Sequence, residues 1–128
     1  MKSALLVSYR VDLLKVIADV LGTLSTDVSE AEGYVRMVDG EGRILTVFGM
    51  PQEETLRSLR EDENTLRGGV TAPDLGRLCG CSIECRWEDL FASVVREVAR
   101  AAGETCWVVD GDGVIWDAAH VDPNLVRL

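Results

Sequence analysis

Two short acidic turns constrain the fold of this chain more than any other sequence feature. Val38 to Gly42 reads VDGEG, Val109 to Gly113 reads VDGDG, and each turn stands between runs rich in β-branched residues. A glycine after aspartate accepts the positive φ that tight turns require, so Asp-Gly between apolar runs is a strong hairpin signal. The sequence therefore predicts two β-hairpins and an antiparallel sheet.

Three segments have the pattern of amphipathic helices. Apolar residues recur at helical spacing over residues 12–24 and 88–102. Pro51 suits the first helical position of a third, surface helix, which we predict over residues 51–63. The polar stretch from Ser25 to Glu32 is predicted as a loop.

The chain is long enough for one folded domain with its own core. It has 128 residues, of which 47% are hydrophobic and 27% are charged. We predict a single α+β domain over 1–128, with one or more antiparallel sheets and helices packed on one face. Its motifs fall into two β-α-β-β units, pseudo-halves of about 1–50 and 77–118, joined by a surface helix and loop over 51–76.

Three of the four cysteines occur in the stretch LCGCSIEC, residues 78–85. Alternate side chains of a strand face the same way, so the stretch is typical of a half-buried strand with cysteine as a small hydrophobe. The C-x-C-x3-C spacing lacks the paired C-x2-C hooks of common structural zinc sites. If the chain holds a thiol or zinc site, its candidate residues are Cys79, Cys81, Cys85 and Cys106.

Charge restricts the classes of partner. The chain carries 22 acidic and 13 basic residues, for a net charge of −9. Such a chain repels phosphate backbones, which excludes nucleic-acid binding as a leading function and favours a basic protein partner. No apolar run approaches the roughly 18 residues of a membrane span, so we expect no membrane association and a cytoplasmic location with reduced thiols. Homo-oligomerisation stays open.

The acids concentrate at the two predicted hairpin tips and in the C-terminal tail. If both tips lie at one end of the molecule, they form a negative patch, although turns use Asp and Gly whether or not they bind anything. Trp107 is predicted to be in the core, whereas Trp116, beside an aspartate, is the better candidate for an interface anchor. The predicted partner-binding residues are Asp39, Glu41, Asp110, Asp112, Trp116, Asp117 and Asp122.

No catalytic set is apparent, and we expect no cofactor. His120 is the only imidazole and lies in the tail, where a nucleophile would have to reach it. The Asp110-Gly-Asp112-Gly stretch lacks the later ligands of a calcium loop. We therefore favour a protein without catalytic activity.

Two resemblances extend these predictions. The doubled β-α-β units resemble the vicinal oxygen chelate superfamily, which implies a metal-free small-molecule-binding domain, because one histidine cannot supply the metal ligands of that family. The size, acidity and the stretch CWVVDGDGVIWDAAHVDP, residues 106–123, resemble immunity proteins of bacterial polymorphic toxin systems. That resemblance implies a module that caps a basic toxin domain, with acids steering association and aromatic residues anchoring it.

Overall fold

The structure is a computed structural model that describes residues 2–61, 65–66, 70–71 and 73–128. Besides its helices and strands, the described part of the chain has short 3-10 turns at Leu75–Arg77 and Ala118–His120. The helices and strands occur in the order β1 (Ser3–Ser8), α1 (Leu13–Leu24), β2 (Asp27–Ala31), β3 (Tyr34–Val38), β4 (Ile44–Met50), α2 (Gln52–Glu61), β5 (Thr65–Leu66), β6 (Cys79–Cys85), α3 (Glu88–Ala102), β7 (Trp107–Val109) and β8 (Val114–Asp117).

The described strands form one sheet in the order β2-β3-β4-β6-β1-β7-β8-β5. Neighbouring strands pair antiparallel, apart from the two-residue β5, which pairs parallel with β8. Both predicted hairpins are present, as β3–β4 and β7–β8. The predicted α+β class with an antiparallel sheet is confirmed.

The two long helices cover one face of the sheet. α1 and α3 pack against each other and against the inward side chains of the central strands, with Ile17, Phe91 and Val94 fully buried. The shorter α2 packs on the opposite face, where Leu59 joins a second cluster with Val7 and Trp107. Helices therefore lie on both faces, although the main core lies beneath α1 and α3, and Trp107 is in the core as predicted.

A glycine lets α2 approach the sheet closely. A Cβ added to Gly80 on β6 would lie 2.8 Å from Cγ2 of Thr55 and 3.2 Å from Cγ1 of Val7. Thr55 on α2 is completely buried, and its hydroxyl donates a hydrogen bond to the carbonyl of Pro51. The helix begins at Gln52, one residue after the predicted start, and residues 62–63 of the prediction lie outside the described residues.

The two pseudo-halves interleave in the sheet. β4 of the first half pairs with β6 of the second, and β1 of the first pairs with both β6 and β7. In the first hairpin it is the second strand, β4, that pairs with the central strands. In the second hairpin it is the first strand, β7. The similar turn sequences therefore occupy non-equivalent places in the sheet.

The predicted loop from Ser25 to Glu32 is mostly a strand. Asp27–Ala31 forms β2, which pairs with β3 and ends at a turn where Gly33 has a φ of 85°. Its side chains are exposed or half-buried on both faces, so the sequence has little of the alternation that identifies a strand. Pairing with β3 and the turn at Gly33 hold this segment in strand conformation instead.

No helix in the described part of the chain is both long enough and apolar enough to span a membrane.

Candidate functional site

Both hairpin tips lie at the same end of the sheet. Leu5 near the start of β1 pairs with Val109, and Leu45 pairs with Cys85 at the end of β6, so β4 and β7 bring both tips to the end where β1 begins. Four strand spacings of about 4.8 Å separate the tips by about 19 Å, and the twist of the sheet turns them further apart. The two tips therefore do not form one compact patch.

An arginine neutralises the first tip. Oδ1 of Asp39 accepts hydrogen bonds from the backbone N–H groups of Glu41 and Arg43, and Oδ2 lies 2.8 Å from Nε of Arg43. The backbone N–H and the guanidinium of Arg43 hold the pKa of Asp39 below its usual range. Arg43 also reaches Asp89 in the first turn of α3, with 2.9 Å between Nη1 and Oδ2. Asp39 thus stabilises the turn, and Glu41, whose side chain is 76% exposed, is the accessible carboxylate of this tip.

The second tip is organised around a buried carboxylate. Asp110 is 6% exposed, and its Oδ1 accepts hydrogen bonds from the backbone N–H groups of Asp112 and Val114. Its Oδ2 accepts from the indole of Trp116 at 3.0 Å and from the backbone N–H of Arg127 at 3.3 Å. Because Trp116 is 3% exposed, its indole offers no surface to a partner, and we withdraw it as an anchor. Asp112 remains exposed at this tip.

The other two predicted acids shape turns outside the two hairpin turns. Oδ1 of Asp117 accepts a hydrogen bond from the backbone N–H of Ala119, at the far end of β8 from the second tip. Asp122 in the tail accepts a hydrogen bond from the backbone N–H of Asn124. Both acids are half-buried. The structure therefore spreads the predicted set over both tips, the far end of β8 and the tail, and its exposed members are Glu41 and Asp112.

Three of the four cysteines lie along the core face of β6, as their alternation predicts, and Cys106 lies just before β7. Cys81 and Cys85 are buried under the helices, Cys106 is fully buried, and Cys79 is half-buried. Burial raises the pKa of Cys81 to about 12 and that of Cys106 to about 11, and it also raises the pKa of Cys85. These three thiols are therefore poor nucleophiles and poor metal ligands at neutral pH. Among the described residues, no group of three or more His, Cys, Asp or Glu side chains is arranged to hold a metal ion.

A groove that the sequence did not indicate runs between α1 and the β2–β3 hairpin. Its volume is about 450 Å³. Leu14 and Ala18 of α1 and Val35 of β3 contribute apolar lining, and Val11, which is 92% exposed, lies at one end. Because β2 is the edge strand, the groove borders a free sheet edge.

The charged groups of this groove are mostly acidic. Asp12 is held by Arg10, with 2.8 Å between Oδ1 and Nε, and Asp19 lies 3.6 Å from the highly exposed Lys15. Glu30 of β2 also lines the groove, and its side chain has no hydrogen bond or ion pair within the described part of the chain. The groove was missed because its β2 wall was predicted as a loop.

The cavities described for this chain are open grooves of about 240–500 Å³ on the surface. The two halves share one sheet, and the small-molecule-binding alternative stays a prediction. No family model, curated protein or solved structure matches the chain. Its function must therefore be argued from its own surfaces.

Proposed function

We propose that the chain is a non-catalytic, acidic protein-interaction module that binds and blocks a basic partner domain, as immunity and antitoxin proteins do. The observation that carries this proposal is the acidic, apolar-lined groove between α1 and β2, beside the free edge of the sheet. We call this region the acidic groove and define it by Val11, Leu14, Asp19 and Glu30.

The edge strand supplies main-chain affinity. Among the described strands, β2 pairs with β3 alone, so its other edge presents backbone N–H and C=O groups that an extended segment of a partner can pair with. Acidic side chains on an edge strand also hinder pairing between identical copies. The same charges favour a basic strand over an acidic one.

The groove supplies side-chain specificity. A lysine or arginine of the added strand would lay its aliphatic stem against Leu14 and Ala18 and bring its cation to Glu30 and Asp19. Val11 is the most exposed large apolar side chain described and would be covered in such a complex. A complete interface of this kind buries about 1,600 Å² in total, so the groove would form its centre and not its whole extent.

The remaining acids act at a distance. Glu41 and Asp112 are exposed, and the net charge of −9 gives the whole molecule a field that attracts a basic protein. In this proposal the hairpin tips, Asp117 at the end of β8 and Asp122 in the tail accelerate encounter, whereas the acidic groove holds the bound partner.

The test is affinity capture from the native lysate at low and high salt, with mass spectrometry of the eluted proteins. Three baits are compared: the native chain, the groove variant Asp19→Lys/Glu30→Lys, and the control Glu97→Lys/Glu104→Lys. The two variants change the net charge equally, and the control changes exposed or half-buried positions outside the groove.

We expect one basic protein that the native chain and the control retain, that salt releases and that the groove variant loses. Purified, that protein should lose its activity on stoichiometric addition of the native chain. Equal retention by the groove variant and the control would show that charge alone attracts the protein, and would rule out the groove as the contact site.

A further inference from the structure

On the sheet face that carries α2, no helix of the described part of the chain covers β2, β3 and β4. On this open face, β3 and β4 direct Tyr34, Ile44 and Phe48 outward, and these side chains are 37%, 39% and 38% exposed. The rings of Tyr34 and Phe48 are 6.1 Å apart. An antiparallel sheet with one solvated face normally places polar residues there, so three large exposed apolar side chains on two neighbouring strands indicate a covered surface.

The strand register arranges the open face in three rows. Each row takes one residue from β2, β3, β4 and β6 in turn, with Arg86 following directly after β6 and lining one shallow pocket with Ile44 and Glu84. The rows are Asp27-Val38-Ile44-Arg86, Ser29-Arg36-Thr46-Glu84 and Ala31-Tyr34-Phe48-Ser82.

The open face is electrically neutral in a strongly acidic protein. It carries two acids, Asp27 and Glu84, and two bases, Arg36 and Arg86. None of these four side chains forms a hydrogen bond or an ion pair within the described part of the chain. A surface with unpaired positive and negative side chains around an apolar centre is complementary to a partner with the same distribution of charges.

The face is complementary to itself. A two-fold axis parallel to the strands, between β3 and β4, places β2 of one copy over β6 of the other and β3 over β4. Asp27 then faces Arg86, Val38 faces Ile44, and Tyr34 faces Phe48, each pair occurring twice. Sheets packed face to face lie about 10 Å apart with their strands within about 30° of each other, which this axis permits.

We propose that the chain forms a two-fold dimer in which the open faces of β2, β3, β4 and β6 pack against each other. Four strands and five residues of strand length give a patch of about 19 Å by 17 Å, or about 320 Å² for each copy in projection. This is smaller than standard specific interfaces, so we expect a weak dimer with a dissociation constant of about 10⁻⁵ M or higher. The acidic groove lies on the α1 side of the sheet and meets the open face at Tyr34.

The experiment is sedimentation velocity of the purified chain from about 5 to about 500 µM, a range that spans the expected dissociation constant. Phe48→Glu should abolish the dimer, while the matched control Leu125→Glu, which also adds a charge at an exposed apolar position, should leave it unchanged. Circular dichroism of each variant confirms that it folds.

A charge exchange tests the axis itself. Asp27→Arg and Arg86→Asp each place like charges opposite one another twice, and each should weaken the dimer roughly tenfold or more. The double variant Asp27→Arg/Arg86→Asp restores opposite charges and should recover most of the affinity. A monomer at every concentration, or a dimer that tolerates Phe48→Glu, overturns the proposal. Single variants with unchanged affinity overturn the pairing of Asp27 with Arg86.

Discussion

The indole Nε1 of Trp116 donates a hydrogen bond to Oδ2 of Asp110 at 3.0 Å, and both side chains are buried. This pair joins β8 to the turn before it. Two more donors on the same turn and one from the C-terminal tail complete the carboxylate's four hydrogen bonds. Asp110 is therefore a structural centre of the second hairpin and not a member of an exposed acidic patch.

Replacing this carboxylate should cost stability, and replacing its neighbour should not. In Asp110→Asn, one oxygen becomes an NH₂ group that faces backbone or indole donors, so we expect a loss of about 1–3 kcal/mol in the free energy of unfolding. Asp112→Asn alters an exposed side chain and should stay within about 0.5 kcal/mol of the native chain. Urea denaturation followed by tryptophan fluorescence measures both. Equal stability of the two variants would contradict the assigned role of Asp110.

Arg43 should support stability at neutral pH more than at low pH. Asp39 and Asp89 have pKa values below their usual range, through the backbone N–H and guanidinium of Arg43 for Asp39 and through the guanidinium for Asp89. Folded-state pKa values below the unfolded ones give stability that is present above about pH 4 and lost as the pH falls through the folded values.

Arg43→Gln should therefore have a lower urea midpoint than the native chain at pH 7. At pH 2–3 the difference between the two midpoints should be smaller. The control Arg100→Gln, which removes a surface contact to Glu97, should have a smaller effect at pH 7. A constant difference from pH 7 to pH 2 would show that Arg43 acts through packing instead.

The close approach of α2 to the sheet should make Gly80 sensitive to a methyl group. Gly80→Ala places a Cβ within 2.8 Å of the buried Thr55, so we expect a destabilisation of about 1–3 kcal/mol. Gly22→Ala, where an added Cβ meets nothing within 4 Å inside α1, should instead stabilise by about 0.5–1 kcal/mol. Thermal unfolding of both variants measures the contrast. A neutral Gly80→Ala would show that α2 can shift without cost.

One thiol should be accessible to a thiol reagent in the native protein, and the other three should be protected from it. At pH 8, an aromatic disulfide reagent should modify half-buried Cys79 in the native protein, and Cys81, Cys85 and Cys106 should react only on unfolding. Fast reaction of all four native thiols would contradict their burial.

The same thiols predict a loss of stability at alkaline pH. Cysteines in the unfolded chain ionise from about pH 8.5, whereas Cys81 and Cys106 stay neutral in the fold up to pKa values of about 12 and about 11. The unfolded state therefore releases protons first, and stability should fall between about pH 9 and pH 11. Cys81→Ala/Cys106→Ala should flatten this fall, as measured by urea denaturation across that range.

Local patterns predicted much of the fold. The positions of α1, α3 and both hairpins follow from apolar periodicity and Asp-Gly turns, because these signals depend on residues a few positions apart. β2 was missed because an exposed edge strand has no buried face to impose alternation. The acidic groove was missed with it, since that groove exists only where β2 and β3 come to lie beside α1.

By itself, the sequence determined the turns, the amphipathic helices, the alternation of the cysteines along β6 and the acidic charge of the chain. The tertiary structure decided the strand order, the side of the sheet that α2 covers and the burial of Asp110 and Trp116. β8 has core clusters on both of its faces, so an aspartate next to Trp116 did not indicate exposure. Burial depends on contacts between distant segments, such as Gly80 with Thr55 and Asp110 with Arg127, and local sequence patterns do not encode which segments meet.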